Sequence, residues 1–226
     1  RTTGAPGLFA RNGPGEAPAP VFKVDLHVHT ILGGDADIEP EAVVPRAREA
    51  GLDALCITEH HDYDLSRPFE AISRKEGFPI FRGLEYRAAE GHLLIYGVHA
   101  GKGDFLPGLP MQTILDWVNK RGGVAIPAHP YQLGLNGCKL GDAVFRLKGL
   151  VALETINGSL SEEENQGARD AALKMGLKGT GGSDAHGLHV LGSACTCFSR
   201  PVTSEAALVS ALRRGDYVPL CRRSPP

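Results

Sequence analysis

Histidine and carboxylate side chains recur at or just after the ends of apolar runs that are typical of β-strands. They are His27, His29, Asp35, His60, Glu85, His92, His129, Asp184 and His186. Apart from His92, which opens a predicted strand, each lies at or just past a strand's C-terminal end. Parallel α/β proteins assemble their active sites at that edge. Since imidazole and carboxylate groups bind divalent transition metals, the pattern predicts a metal centre.

The pair His27 and His29 begins this series. Residues i and i+2 of a strand point to the same side with Cα atoms roughly 6.5 to 7 Å apart, so their imidazoles can reach one ion. One such pair is weak evidence, because nine histidines in 226 residues often form one by chance. Asp184 and His186 have the same spacing. Both pairs lie at strand ends together with the other histidines and carboxylates, and this shared position favours a metal site.

Apart from Asp35 and His92, these residues lie in five short motifs that follow one another along the chain. The motifs are Asp25-Leu26-His27-Val28-His29-Thr30, Thr58-Glu59-His60, Gly83-Leu84-Glu85, Ala128-His129-Pro130 and Ser183-Asp184-Ala185-His186. In content and order they resemble the motifs of the PHP (polymerase and histidinol phosphatase) family, over about residues 21–198. The resemblance implies an α/β fold, a distorted (β/α)7 barrel, with two or three divalent metal ions and hydrolysis of phosphate esters.

The resemblance also implies how the ligands divide among the ions. The first ion would take His27, His29, Glu85 and Asp184. The second would share Glu85 and would also take His92 and His129. The third would take Asp35, with Asp37 as the neighbouring alternative, and His60 and His186. The metal stays open, because manganese, zinc and iron all accept these ligands.

Adjacent cations would supply the chemistry that a phosphate ester needs. Two ions about 3.5–4 Å apart lower the pKa of a bridging water and neutralise phosphoryl oxygens. We expect a metal-bridging hydroxide, held through the ligands Glu85 and Asp184, to attack phosphorus in line. Because histidine must be neutral to bind metal, activity is expected to fall at acid pH.

Three further residues are candidates for binding substrate. Arg87 lies two residues after a ligand, so it would face the site if the strand continues and could hold a non-bridging phosphate oxygen; a surface ion pair is the alternative. Tyr131, two residues past His129, could line the pocket. His61 would point away from its ligand neighbour, which leaves substrate contact, support of a ligand and solvent exposure open. Glu59 is expected to orient an imidazole.

Strands and helices must bring these residues together. The patterns predict strands at 21–30, 52–58, 79–85, 92–98, 124–128, 150–156, 178–183 and 190–198. They predict helices at 40–50, 66–75, 111–120, 161–176 and from about 204. Pro45 should delay or kink its helix, and Ser161 with Glu164 forms a capping box. This alternation predicts a parallel sheet covered by helices and closed, or nearly closed, into a barrel.

Composition and charge narrow the class of protein. The chain is 42% hydrophobic and 22% charged, as in a globular domain, and no apolar run approaches the ~18 residues of a membrane span. We expect one soluble domain at 21–220, a flexible Pro/Gly/Ala-rich tail at 1–20 and a loose tail at 221–226. The net charge of −2 predicts no stable binding of duplex nucleic acid.

Five scattered cysteines argue against a disulfide framework and favour a cytoplasmic location. Cys195 and Cys197 are expected to be small core residues of a late strand. The expected partner is a small phosphorylated substrate, with a nucleotide or short oligonucleotide possible. Only about thirty residues separate Val98 from His129, so a large lid is not expected there.

Two other functions stay open. Barrels with a His-x-His pair also serve amidohydrolases, which cleave carbon–nitrogen bonds. Those enzymes often bridge their metals with a modified lysine, whereas Glu85 occupies the bridging position in this chain. A non-catalytic, metal-binding structural subunit is the other alternative, although none of the nine expected ligands is missing.

Overall fold

The computed structural model describes residues 21–134 and 140–222. Within those ranges the strands are β1 (Phe22–Val28), β2 (Ala54–Ile57), β3 (Ile80–Arg87), β4 (His92–Tyr96), β5 (Val124–Ala128), β6 (Ala152–Asn157), β7 (Lys178–Gly182), β8 (Ala194–Phe198) and β9 (Tyr217–Cys221). The α-helices are α1 (Pro40–Glu49), α2 (Phe69–Glu76), α3 (Met111–Lys120), α4 (Glu162–Met175) and α5 (Glu205–Arg214). The predicted tail 1–20 and residues 223–226 lie outside the described ranges, whereas Cys221 belongs to β9.

Helix ends follow local chemistry. The capping box of α4 is complete, since Ser161 accepts a hydrogen bond from the backbone of Glu164 while the Glu164 carboxylate accepts one from the backbone of Ser161. Gly176 ends that helix in the left-handed conformation, with φ of 66°. Pro45 does not delay its helix, because α1 begins at Pro40 and contains Pro45 within its length; the alternative of a kink stays a prediction.

The sheets are mixed, which corrects the expectation of a parallel sheet. A seven-stranded sheet has the order β5-β4-β3-β2-β1-β8-β9, and β6 pairs with β7 alone. β1, β2 and β3 are parallel neighbours, while β3–β4, β4–β5, β1–β8 and β8–β9 are antiparallel. β4 turns back because residues 88–91 are too few for the crossover that a parallel strand requires.

The seven-stranded sheet and the β6–β7 sheet together form a curled half-barrel, and hydrogen bonds connect the two sheets. Beyond β7, the backbone of Asp184 donates to the carbonyl of His27 (2.8 Å), and His29 donates to the carbonyl of Ala185 (3.1 Å). The backbone of His129, after β5, donates to the side chain of Glu154 in β6 (2.8 Å). These contacts place the ends of β1, β5, β6 and β7 around one region.

The apolar core lies on both sides of the strands. One cluster joins β1 and β2 to the helix face of Val43, Val44 and Ala47, and both Cys195 and Cys197 are buried within it. That placement confirms the expected core role of the two cysteines. No helix among the described residues is long and apolar enough to cross a bilayer.

Candidate metal centre

The fold gathers all nine predicted ligands at one end of the curled sheet. They form three groups whose donor atoms lie within 4.8 Å of one another: His27, His29, Glu85 and Asp184; Glu85, His92 and His129; and His29, Asp35, His60 and His186. The division matches the predicted one, except that His29 also joins the group with Asp35. Asp37 is not a member, so Asp35 is the better placed of the two aspartates.

The position of His92 has a simple cause. It opens β4, which runs antiparallel to β3, so the start of β4 lies beside the end of β3. His92 is paired with Arg87, the last residue of β3. A residue at the start of a reversed strand therefore reaches the same edge as residues at the ends of parallel strands.

Donor atoms of the first group are spaced as metal ligands would be. Nε2 of His27 lies 3.3 Å from both Oε2 of Glu85 and Oδ1 of Asp184, and Nε2 of His29 lies 3.1 Å and 3.5 Å from the same two oxygens. The two imidazole Nε2 atoms are 3.1 Å apart. Four ligands about 2.1 Å from an ion form a tetrahedron with edges of about 3.4 Å. The five distances therefore fit an ion at the centre of this group.

Glu85 connects this group to the second one. Its Oε2 atom faces His27 and His29, whereas Oε1 lies 2.8 Å from Nδ1 of His92 and 3.0 Å from Nε2 of His129. The carboxylate is buried, with 1% of its surface exposed. A buried carboxylate that presents one oxygen to each of two donor groups has the geometry of a bridging ligand.

The third group lies nearer to the surface. Nε2 of His60 is 3.0 Å from Oδ2 of Asp35, and Nε2 of His186 is 3.6 Å from the same oxygen. Asp35 and His186 are partly exposed. Buried Nδ1 atoms of His29 and His60 have no hydrogen-bond partner among the described residues. Nδ1 of His60 lies 3.4 Å from Oε2 of Glu85, and Nδ1 of His29 lies 3.9 Å from Oε2 of Glu59. Buried nitrogens without a hydrogen bond are costly, so the donor set fits a bound cation better than a packed protein interior.

Backbone strain accompanies these ligands. Within the described residues, the non-glycine residues with positive φ are His61 (62°), His129 (30°) and Asp184 (52°). Each such conformation costs on the order of 1–3 kcal/mol and persists only where the surroundings enforce it. Two of the three residues are predicted ligands and the third follows one, so the strain is concentrated at the centre.

Charge interactions hold the acidic ligands ionised. Burial would raise the pKa of Glu85, but His27, His129 and His29 together hold that pKa well below its ordinary value. Burial likewise opposes ionisation of Asp184, yet His27 and His129 lower its pKa to about 2. Both carboxylates are therefore negative at neutral pH, as metal ligands must be.

The histidines divide into two kinds. Burial would lower the pKa of His27, but the carboxylates of Asp184, Glu154 and Glu85 raise it well above its ordinary value. The pKa of His129 is also raised, because Glu85 outweighs the effect of burial. His60 differs, since burial lowers its pKa to about 4. His60 is neutral at pH 7, whereas the raised pKa values of His27 and His129 favour protonated rings, which cannot bind metal until the proton leaves.

Glu154 is a functional candidate that sequence reasoning missed. It is 1% exposed, and its Oε1 lies 2.9 Å from Nδ1 of His27. Its Oε2 accepts hydrogen bonds from the backbone of His129 (2.8 Å) and the amide of Asn157 (3.0 Å). Asn157 also donates to Asp184. A lone carboxylate inside the apolar run at 150–156 was the available signal, since a buried charge needs partners.

Two other acidic residues support the backbone instead. Asp25 accepts hydrogen bonds from the backbones of His27, Ser183 and Gly192, and burial raises its pKa to about 6. Glu59 was expected to orient an imidazole. Its carboxylate instead accepts hydrogen bonds from the backbone and hydroxyl of Thr30, while Nδ1 of His29 is 3.9 Å away.

A cleft of about 620 Å³ adjoins the second group. His92 and His129 form one side, and Arg87 and Gln132 also line it. The described residues include no hydrogen-bond or ion-pair partner for the Arg87 guanidinium, so the alternative of a surface ion pair finds no partner there. Arg87 therefore lies beside the predicted ligands, and its charge has no partner among the described residues.

The other two substrate-binding predictions have different outcomes. Tyr131 does not line the cleft, because its hydroxyl donates to Asp142 (2.8 Å). The positive φ of His129 turns the chain, so the alternation of a strand does not extend to Tyr131. His61 is partly buried, and its ring lies 5.7 Å from that of Tyr86; its contact with substrate remains a prediction.

Fold and site together define an α/β protein with a candidate metal centre at one end of a curled sheet. A family model described as the PHP domain matches residues 25–136, and one described as PHP-associated matches residues 162–217. The chain belongs to the PHP family, as its motifs indicated.

Three similar proteins illustrate the relationship. An uncharacterized protein of Methanocaldococcus jannaschii is 28% identical over 147 residues, which cover 60% of this chain and 82% of that one. A two-domain Bacteroides vulgatus protein with a predicted PHP-like metal-dependent phosphoesterase has a TM-score of 0.70 and 21% identity, over 95% of this chain and 70% of that one. An amidohydrolase of Chromobacterium violaceum, solved with sulfate and no metal, has a TM-score of 0.60 and 17% identity, over 89% and 98%. The two structural likenesses show the fold.

Proposed function

We propose that this protein hydrolyses small phosphate monoesters or diesters with two or three divalent ions bound by the three donor groups. The observation that carries the proposal is Glu85, whose two oxygens face two donor groups separately. When bound, adjacent ions would neutralise phosphoryl oxygens and make water nucleophilic at neutral pH. The proposal includes the distorted (β/α)7 barrel of the family and manganese, zinc or iron as the metal.

The chain's own residues would prepare this chemistry. Glu85 and Asp184 supply two negative charges that offset the positive ions. Glu154 fixes the ring of His27 from behind, so Nε2 faces the donor group. The partly exposed third group and the adjoining cleft leave access for substrate, and Arg87 adds a positive charge at the cleft.

Hydrolysis of a carbon–nitrogen bond is the second candidate, because one structural neighbour is described as an amidohydrolase. The bridging position is held by Glu85, whose two oxygens face two donor groups. This favours the phosphoesterase over an amidohydrolase with a modified-lysine bridge.

A substrate screen would test the proposed function. Protein loaded with Mn²⁺, Zn²⁺ or Fe²⁺ would be assayed with p-nitrophenyl phosphate, bis(p-nitrophenyl) phosphate, a short oligonucleotide and an N-acyl amino acid. We expect turnover of a phosphate ester. Turnover of the amide alone would favour the second candidate, and inactivity of the fully loaded protein on every phosphate ester would contradict the proposal.

Matched variants locate the activity. His27→Ala and Asp184→Ala should abolish turnover, because each removes a donor from the first group. His99→Ala is the control, since its side chain is 70% exposed and belongs to none of the three groups. Full activity of either donor variant would remove that residue from the site.

A further inference from the structure

A cleft of about 620 Å³ lies beside the second donor group, and Arg87 and Gln132 are among its described lining residues. We propose that it binds the alcohol part of the substrate and selects an alcohol that carries a carboxylate. This inference rests on the proposed phosphoesterase function and names its substrate class. The observations are the position of Arg87, the charge of the described lining and the rigidity of the wall.

The pairing of β3 with β4 explains why Arg87 faces the cleft. It pairs with His92 across the antiparallel strands β3 and β4, and side chains of directly opposed residues project from the same face of a sheet. The exposed Arg87 side chain and the ligand His92 are therefore neighbours at the rim of the donor groups. Glu85, two residues earlier on β3, lies deeper on the same face. This order places Arg87 outside the metal ligands, towards the part of a substrate that extends from phosphorus.

The charge of the cleft favours an anion there. The described lining contains the histidines His92 and His129 and one other basic side chain, Arg87. It contains no described aspartate or glutamate. Gln132 adds an amide that can donate hydrogen bonds. An arginine fork with no protein partner matches a carboxylate through two hydrogen bonds. An ammonium group in the same place would meet repulsion from Arg87 and no carboxylate of the described lining.

The described wall favours a small molecule. The cleft has a volume of about 620 Å³, which lies within the range of metabolite-sized sites. Alanine, glycine and proline form much of its described lining. Backbone hydrogen bonds fix this wall: Gly108 donates to the carbonyl of Arg87 (2.9 Å), Ala88 to Gly91 (2.8 Å) and Ala89 to Leu109 (3.0 Å). The described lining has no tyrosine, phenylalanine or tryptophan on which a nucleobase could stack. A short aliphatic hydroxy acid suits these features.

The reaction would convert a phosphorylated hydroxy acid and water into inorganic phosphate and the free hydroxy acid. A bond forms between the water oxygen and phosphorus, and the bond between phosphorus and the ester oxygen breaks. A proton from the water ends on the departing alkoxide. Arg87 and Gln132 would hold the carboxylate throughout, without taking part in either bond.

Three phosphate monoesters test the inference. 3-Phosphoglycerate carries a carboxylate, glycerol 3-phosphate replaces that carboxylate by a hydroxymethyl group, and phosphoethanolamine carries an ammonium group. For the metal-loaded protein we expect kcat/KM for 3-phosphoglycerate to exceed that for glycerol 3-phosphate about tenfold, the effect of one charge-assisted hydrogen bond. Phosphoethanolamine should be the poorest of the three.

Arg87→Gln should reduce the ratio of kcat/KM for 3-phosphoglycerate over glycerol 3-phosphate to about one, and Arg87→Lys should restore part of it. A uniform loss on both esters in Arg87→Gln would overturn the inference and assign Arg87 to the transferred phosphoryl group. So would wild-type protein with no preference among the three. p-Nitrophenyl phosphate separates the proposed function from the proposed subsite. If the protein hydrolyses it but shows no preference among the three monoesters, only the subsite is overturned. Absence of all turnover would overturn the proposed function.

Discussion

At the scale of single residues, the centre depends on how its histidines are held. His27 could present either ring nitrogen, and the carboxylate of Glu154 at its Nδ1 makes that nitrogen the hydrogen-bond donor. Once the ring has lost its second proton, Nε2 carries a lone pair towards Glu85, His29 and Asp184. Carboxylates that orient metal-bound histidines in this way commonly raise metal affinity by about 10–100-fold.

Replacement of Glu154 by glutamine isolates this effect. Glutamine has the same shape but only one acceptor oxygen, so it cannot satisfy both His27 and the donors His129 and Asn157. We expect Glu154→Gln to weaken metal binding about 10–100-fold, measured by competition with a chelator. The unfolding curve of the metal-free variant reports whether the fold is retained.

Glu205→Gln is the matched control for this experiment. Glu205 accepts hydrogen bonds from the hydroxyl of Tyr63 and the backbone of Arg82 and belongs to none of the donor groups. Its substitution should leave metal affinity unchanged. Equal affinities of wild type and Glu154→Gln would show that Glu154 does not orient His27.

Metal binding should also release protons. Carboxylates raise the pKa values of His27 and His129, which favours their protonated forms in the metal-free protein. Those protons must leave when metal binds. His60 should contribute none, because its pKa is lowered to about 4. Calorimetric titration in two buffers of different ionisation enthalpy measures this release. Equal apparent enthalpies in the two buffers at pH 7 would contradict the raised pKa values.

At the scale of elements, α4 helps to hold one wall of the cleft. Its capping box links Ser161 with Glu164, and the same Glu164 carboxylate accepts a hydrogen bond from the backbone of Leu133 (2.6 Å). Leu133 directly follows Gln132, which lines the cleft. The start of the helix thus positions the loop that follows β5.

Removal of the cap should lower stability with little effect on the metal centre. Ser161→Ala is expected to reduce the free energy of unfolding by about 1 kcal/mol, measured by denaturant titration. Ser210→Ala is the control. It removes an exposed hydroxyl inside α5 that accepts a hydrogen bond, among the described residues, only from the exposed Arg214 side chain, so it should change stability less than Ser161→Ala. An unchanged unfolding midpoint in Ser161→Ala would show that the cap contributes nothing to stability.

Local patterns predicted most elements because their signals are local. The bounds 111–120 and 124–128 agree with α3 and β5, and the capping box marked the start of α4. Strand direction depends on the length of a turn and on distant partners, so the reversal at β4 was not predicted. β9 was missed as well, since its middle residues are only partly buried and its pattern is weak.

The candidate site was predictable for the same kind of reason. Short motifs carry His27, Glu85, Asp184 and their companions, and all nine residues meet in the structure. Glu154 and Asn157 lie in no such motif and gain their meaning only from contacts across the fold. Tyr131 was placed wrongly because the strained backbone at His129 cannot be inferred from spacing.

At the scale of the whole molecule, the mixed sheet explains how one site draws on so much of the chain. β1, β2 and β3 end at the site, β4 begins there, and the residues after β5 and β7 complete it. The ligands span positions 27 to 186, so the centre forms only when the sheet has curled. Bound metal should in turn stabilise the folded chain, because the unfolded chain has no comparable site.

Metal content is the most direct test of this account. Protein equilibrated with Mn²⁺, Zn²⁺ or Fe²⁺ and freed of excess metal would be analysed by elemental mass spectrometry alongside His27→Ala and His99→Ala. We predict two or three ions per chain in wild type and in His99→Ala, and a lower content in His27→Ala. Less than one ion per chain in folded wild-type protein, under all three metals, would contradict the assignment of the donor groups as a metal centre.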